Sequence, residues 1–240
     1  MGNKQQQNMI EDKTSNNTLE ELLRTELKQD ATLATNLSED NFTDEEITKF
    51  SSTLAKYICH NQTIQLDQMI NSEQEDRTIF NNLTKLTLNL SDNYIGVQGI
   101  SDLAKAIQSL DKIQTLSLNL SNNIIDSDCL VNLSLALKNC QNLSNLTLWF
   151  YKNIIEERGA SELGKALIYC TQLQILTISF LENRIRDNGS ISLASSISKC
   201  KNLLILKLFL KDNQIFGSQF KRIKGKINKS RRLIKQYISS

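Results

Sequence analysis

Proline is absent from the 240 residues, glycine occurs 8 times, tryptophan and histidine once each, and aromatic residues make up 6% of the chain. The missing proline accompanies abundant asparagine, glutamine, serine and isoleucine, a bias we read as genomic and not functional. No apolar run reaches the roughly 18 residues of a membrane-spanning helix. Met1–Lys13, MGNKQQQNMIEDK, lacks the apolar core of a secretory signal. The single histidine, His60, follows a helical stretch with no second metal ligand or nucleophile pattern near it, and reads as a helix-end or surface residue. Nowhere does the chain offer a nucleophile with a base, paired metal ligands or a phosphate-binding loop. Catalysis, metal and cofactor are therefore not expected.

Cysteine is scarce and odd in number. Of Cys59, Cys129, Cys140, Cys170 and Cys200, the last three recur at one fixed interval. A chain this long does not need disulfide staples, so they read as small buried thiols in a reducing compartment. The sequons at Asn89, Asn119 and Asn145 lie on or beside expected strands, where glycans would obstruct the sheet, and a cytoplasmic location follows. The net charge of +2 conceals a gradient. Residues 1–80 hold 15 acids against 7 bases, residues 81–214 hold 11 against 13, and residues 215–240 hold 8 bases and no acid.

What the chain does have is a repeat. Leu86, Leu116, Leu146, Leu176 and Leu206 stand in phase, as do Asn93, Asn123, Asn153, Asn183 and Asn213, each step being 30 residues. A fixed period of this length signals a solenoid. Within each copy apolar residues alternate, as in Leu143, Leu146, Leu148 and Phe150, which is the period of a strand with one buried face. After the asparagine come an isoleucine (Ile95, Ile125, Ile155, Ile185, Ile215) and a helical pattern through Leu103, Ala106 and Ile107 and their counterparts. Each copy is thus a strand, an asparagine turn and a helix.

The pattern LxxLxLxLSxNxIxxxGxxxLxxALxxC resembles leucine-rich repeats of the ribonuclease-inhibitor-like class, and more closely a repeat family of ciliated protozoa with LTLNLSxNxI units. The resemblance covers about residues 81–230 and implies a right-handed α/β horseshoe, parallel strands on the concave face and helices on the convex one. Two extra residues between Leu88 and Asn93 depart from the general pattern and imply longer or bulged strands. Kinase-like labels in the protozoan family do not transfer, because no Gly-rich loop, catalytic-loop motif or Asp-Phe-Gly is present. In this class the asparagine hydrogen-bonds the turn backbone, so Asn93 and its counterparts are structural.

The flanks divide the chain further. Residues 1–17 are polar and read as disordered; Gly2 opens a myristoylation-like start, but Gln6 occupies its usual Ser/Thr position. Residues 18–80 read as a helical N-terminal segment and cap. A helix spans residues 18–38 through Leu19, Leu22, Leu23 and Leu27, and a second starts at Thr43–Glu46 and continues through Ile47, Phe50, Leu54 and Ile58. The segment IQLDQMI, residues 64–70, reads as an irregular strand. Residues 81–214 are the repeats. Residues 215–240 form a basic capping helix and tail: Lys224 and Lys226 stand where earlier helices carry small residues, and Leu233 begins a further copy that stops. Beside Phe220, Ile223, Ile227 and Ile234, the cations Lys221, Arg222, Lys229, Arg231, Arg232 and Lys235 offer a lesser route to an acidic lipid, calmodulin or nucleic acid.

Function is expected at exposed positions that escape the repeat. The concave positions are small and polar in the first two copies, then become Trp149 and Tyr151, Leu181, and Lys207, Phe209 and Lys211. Aromatic and aliphatic side chains edged by lysine have the composition of a protein-binding hot spot. Parallel strands lie about 4.8 Å apart, placing Trp149 and Phe209 roughly 10 Å apart with Ser179 between them. The expectation is a non-catalytic scaffold that binds a protein of unknown identity through Trp149, Tyr151, Leu181, Lys207, Phe209 and Lys211. Its alternatives are regulation of a small GTPase, which the resemblance to the ribonuclease-inhibitor-like class implies, or membrane or nucleic-acid binding through the basic C-terminus. The helix over residues 18–38 is the competing occupant of that face.

Overall fold

A computed structural model describes residues 32–59, 83–230 and 232–239. Seven parallel strands form one sheet in chain order: β1 (Thr32–Asn36), β2 (Lys85–Asn89), β3 (Thr115–Asn119), β4 (Asn145–Trp149), β5 (Ile175–Ser179), β6 (Ile205–Phe209) and β7 (Lys235–Ser239). Six helices alternate with them among the described residues: α1 (Asp44–Cys59), α2 (Val97–Gln108), α3 (Ser127–Leu137), α4 (Glu157–Leu167), α5 (Arg186–Ile197) and α6 (Gly217–Ile227). The architecture is an α/β solenoid in which each unit packs on the next.

The leucine alternation builds it. Leu86, Leu116, Leu146, Leu176 and Leu206 are partners across neighbouring strands and are all 0% exposed. The helices add Leu103, Leu133, Leu163 and Leu193, so one continuous core runs between the sheet and the helices. The extra two residues of each copy produce no longer strand. Interstrand bonds continue past the strand, from Leu90 N to Asn119 O at 2.8 Å and from Asp92 N to Ser121 O at 2.9 Å. The chain then turns through a left-handed residue in every copy: Asp92, Asn122, Lys152, Glu182 and Asp212, with φ between 51° and 60°.

The N-terminal flank differs from the sequence expectation. Thr32–Asn36 is a strand and not the end of a helix over residues 18–38, because Leu33, Thr35 and Leu37 alternate into the core at 0%, 8% and 4% exposure. β1 pairs with β2 from Thr32↔Lys85 to Asn36↔Asn89. Phe42, Ile47, Phe50 and Leu54 then occupy the places of Ile95, Ile100, Leu103 and Ile107. The offset from Asn36 to Asn89 is 53 residues, against 30 from Asn89 to Asn119, so an insertion (53 − 30 = 23) separates this unit from the next. A complete strand–helix unit thus precedes the five copies read from the period. Residues 18–31, His60 and the segment at 64–70 lie outside the described residues, as does the polar start at 1–17.

At the expected helix start, Thr43 and Glu46 form a capping box: Thr43 N and Oγ1 both donate to Glu46 Oε2. These bonds hold the Glu46 carboxyl below its ordinary range. Most later helix starts are capped from the preceding unit. Asp44 accepts from Gly96 N and Gln98 N, Ser127 Oγ from Glu156 N and Gly159 N, and Asp187 Oδ1 from Phe216 N. Val97 holds the corresponding place before α3 and has no acceptor to offer, and α3 is capped by its own Asp126, which accepts from Cys129 N at 2.9 Å.

The recurring glycines Gly99, Gly159 and Gly189 leave little room against the preceding unit. A Cβ on Gly189 would lie 2.7 Å from Glu157 Cα and 2.9 Å from Ile185 Cγ2, and the backbone of α4 cannot give way. On Gly225 it would meet nothing within 4 Å. Gly189→Ala is therefore expected to destabilise by about 1–3 kcal/mol through overpacking. Gly225→Ala, also inside a helix, is expected to stabilise by about 0.5–1 kcal/mol. Urea titration of the pair checks the opposite signs.

Candidate functional site

The face of the sheet turned away from the helices is lined by alternate strand residues, and its character changes midway. One row runs Asn36, Asn89, Asn119, Trp149, Ser179, Phe209, Ser239. At its start the amides satisfy each other: Asn89 Nδ2 donates to Asn36 Oδ1 at 2.7 Å, and Asn119 Nδ2 to Asn89 Oδ1 at 2.8 Å. At β4 the amide ladder stops.

From there the row is aromatic. The Trp149 and Phe209 rings stack with centroids 5.9 Å apart and planes 27° apart, and Tyr237 packs on Phe209 at 5.4 Å. The wider separation expected from strand spacing is thus corrected: the rings lean toward each other across β5. Ser179 lies beneath them at 1% exposure, and its hydroxyl has no hydrogen-bond partner. Serine is small enough to let the two rings close over it.

In the next row are Tyr151 and Leu181, with Lys211 fully outward. Tyr151 is 39% exposed, and its hydrogen bond to Glu182 raises the phenol above its usual pKa. Lys207 shares a row with Tyr237, opposite which it is paired in register. Lys211 lies 3.8 Å from Asp212, a loose exposed contact. All six residues expected at the site, Trp149, Tyr151, Leu181, Lys207, Phe209 and Lys211, therefore share the open face of β4–β6 or its margin. Tyr237 was missed because the strand that carries it lay in what reads as a basic tail. Of the helix proposed to cover this face, Leu33 and Leu37 are committed to the core and cannot do so.

The basic C-terminal residues do not form one amphipathic segment. α6 ends at Ile227, and Lys235 begins β7. Lys221 and Arg222 lie on α6, whereas Lys229 and Arg232 line a cleft with Lys199 and Lys201; Arg232 Nη1 donates to Asn202 Oδ1 at 2.8 Å. Arg231 lies outside the described residues. Lys235 turns to the sheet side.

The recurring polar residues are structural in the manner expected. Asn183 Nδ2 donates to Phe150 O, Phe180 O and Leu181 O, and its Oδ1 accepts from Ile155 N. Asn93, Asn123, Asn153 and Asn213 make the same set of donations. Cys140, Cys170 and Cys200 are buried and donate to carbonyls of the preceding unit, Cys170 Sγ to Leu137 O at 3.4 Å. Burial pushes these thiols, and Cys129, up to about 12, which leaves them protonated at neutral pH and poor nucleophiles. Among the described residues no three His, Cys, Asp or Glu side chains gather as a metal site, and no helix is long and apolar enough to cross a membrane.

No protein-family model matches the sequence, and no curated protein does. Among solved structures the chain is similar to leiomodin-1 actin-binding site 2, at a TM-score of 0.50 and 15% identity, over 76% of this chain and 87% of that one. The likeness is one of fold. It extends across most of both chains.

Proposed function

We propose that this protein is a non-catalytic, cytoplasmic interaction scaffold that captures a protein partner on the open face of β4–β7. The observation that carries the reading is the ring line Trp149, Phe209 and Tyr237, which begins where the self-satisfied amide ladder of Asn36, Asn89 and Asn119 stops. Large aromatic side chains flanked by lysines Lys207 and Lys211, with Tyr151 and Leu181 alongside, suit a protein interface better than a small-molecule pocket. We also take the chain as a right-handed leucine-rich-repeat protein of the ribonuclease-inhibitor-like class with terminal caps, akin to the repeat family of ciliated protozoa. Leiomodin-1 actin-binding site 2 lends support at the level of fold, and makes actin a reasonable first named partner to test.

The test is capture of partners from native extract by the wild-type chain and by the Trp149→Ala, Tyr151→Ala double variant. Loss of a hot-spot aromatic costs at least about 2 kcal/mol of binding, some thirtyfold in affinity, so specific bands should disappear. The Trp149–Phe209 stack contributes about 0.5–1.5 kcal/mol of stability, so the melting temperature should fall by only a few degrees. Retention of the same bands by the folded variant would overturn the reading.

A further inference from the structure

Resting on the proposed interface, we infer that its partner presents an acidic segment bearing a tyrosine, whose ring enters between Trp149 and Phe209 and whose hydroxyl pairs with Ser179. The register carries the first half of the argument. Trp149, Ser179 and Phe209 are successive partners along one row. Two strand steps separate the outer residues by about 9.6 Å. A planar group held in contact with a ring on each side requires about 7 Å, twice the contact distance between carbon atoms. At 5.9 Å the rings have closed beyond that, and small changes in side-chain torsion toward the upright admit one more ring. No strand needs to move.

The floor of that slot explains the choice of tyrosine. Ser179 Oγ is buried without a partner, a state that disfavours the unbound form and that a polar group arriving between the rings would relieve. Asparagine at Asn89 and Asn119 solves the same problem within the chain, whereas serine at 179 leaves it open to a ligand. A phenol entering edge-on brings a hydroxyl that can donate to or accept from Ser179. A phenylalanine brings none.

Charge fixes the flanks. The three outward rows of β4–β7 and the row that extends them hold Lys207, Lys211 and Lys235 and no carboxylate, Glu182 and Asp212 lying just beyond them at the left-handed turns. Three lysines against the two carboxylates at the margin disfavour an arginine as the planar group and favour Asp or Glu on either side of the tyrosine.

Trp149 is the chain's one tryptophan, so its emission reports directly on the slot. The full chain is titrated with four short peptides: tyrosine between acidic residues, phenylalanine between acidic residues, alanine between acidic residues, and tyrosine between lysines. The acidic tyrosine peptide is expected to shift or quench Trp149 emission saturably, and to weaken as NaCl is raised. Its phenylalanine counterpart should bind about three- to tenfold more weakly, the value of one neutral hydrogen bond, and the alanine and lysine peptides should not saturate. Ser179→Ala removes only a hydroxyl and retains the fold, and it should erase the preference for tyrosine over phenylalanine. Equal binding of those two by the wild type, or a preference that survives Ser179→Ala, would overturn the slot; equal binding of the lysine peptide would overturn the acidic partner. Should no peptide perturb Trp149 while partner capture still depends on Trp149 and Tyr151, this inference fails and the interface stands.

Discussion

Asn183→Ala is expected to lower the free energy of unfolding by about 3 kcal/mol, as the sum of several buried backbone groups left without partners. Asn183 is 5% exposed. Its amide donates to Phe150 O at 2.7 Å, in the preceding unit, and to Phe180 O and Leu181 O at 3.1 Å in its own, while its carbonyl accepts from Ile155 N at 3.0 Å. Alanine removes both halves at once, and the site is too enclosed for water to replace them all. The residue also links two units, so the loss should be felt at their interface and not only in one turn. Equilibrium urea unfolding of the wild type and variant measures the difference. A loss below about 1 kcal/mol, the value of a single net hydrogen bond, would mean that the asparagine ladder is not what holds the turns.

The five asparagines, the alternating leucines and the helix stripe were legible in the sequence because a solenoid repeats its local solution at one fixed period. Asn93 and Asn183 could be aligned without knowing what either bonds. The unit at 32–59 obeys the same rules but was hidden by phase: its longer offset conceals Leu33, Thr35 and Leu37 behind an insertion, and the leucines upstream of it suggest a helix. An alternation search free of the fixed frame would have found it, since Phe42, Ile47, Phe50 and Leu54 match the core places of the next unit. β7 was obscured differently. Gln236 stands where Leu206 does, so only Leu233 and Ile238 keep the apolar pattern. At the site, alternation told which residues point outward, but strand spacing alone could not tell how far a side chain leans. Trp149 and Phe209 close over Ser179 because side chains bridge what backbones hold apart.

Phe180→Ala is expected to cost about 4 kcal/mol, in the range for deleting a buried phenylalanine, and Phe180→Leu only about 1 kcal/mol. The repeat supplies the control. At this place the other copies carry Leu90, Leu120 and Leu210, all 0% exposed, so leucine is already known to fit the fold there. Only Phe150 and Phe180 are larger, and they stack on each other at 5.4 Å with planes 15° apart. Alanine would leave a void beside Phe150 at the strand end whose carbonyl Asn183 holds. Leucine would forfeit the ring pair, worth about 0.5–1.5 kcal/mol, while filling most of the volume. Because Phe150 of the inner pair directly follows Trp149, the last residue of β4, Phe180→Leu also separates packing from recognition. The variant should retain nearly full stability by urea titration, and Trp149 emission should be unchanged if the outer stack is set by the open face alone. A cost for leucine approaching that for alanine would mean that the phenylalanine pair, and not filled volume, sets the spacing of the central units.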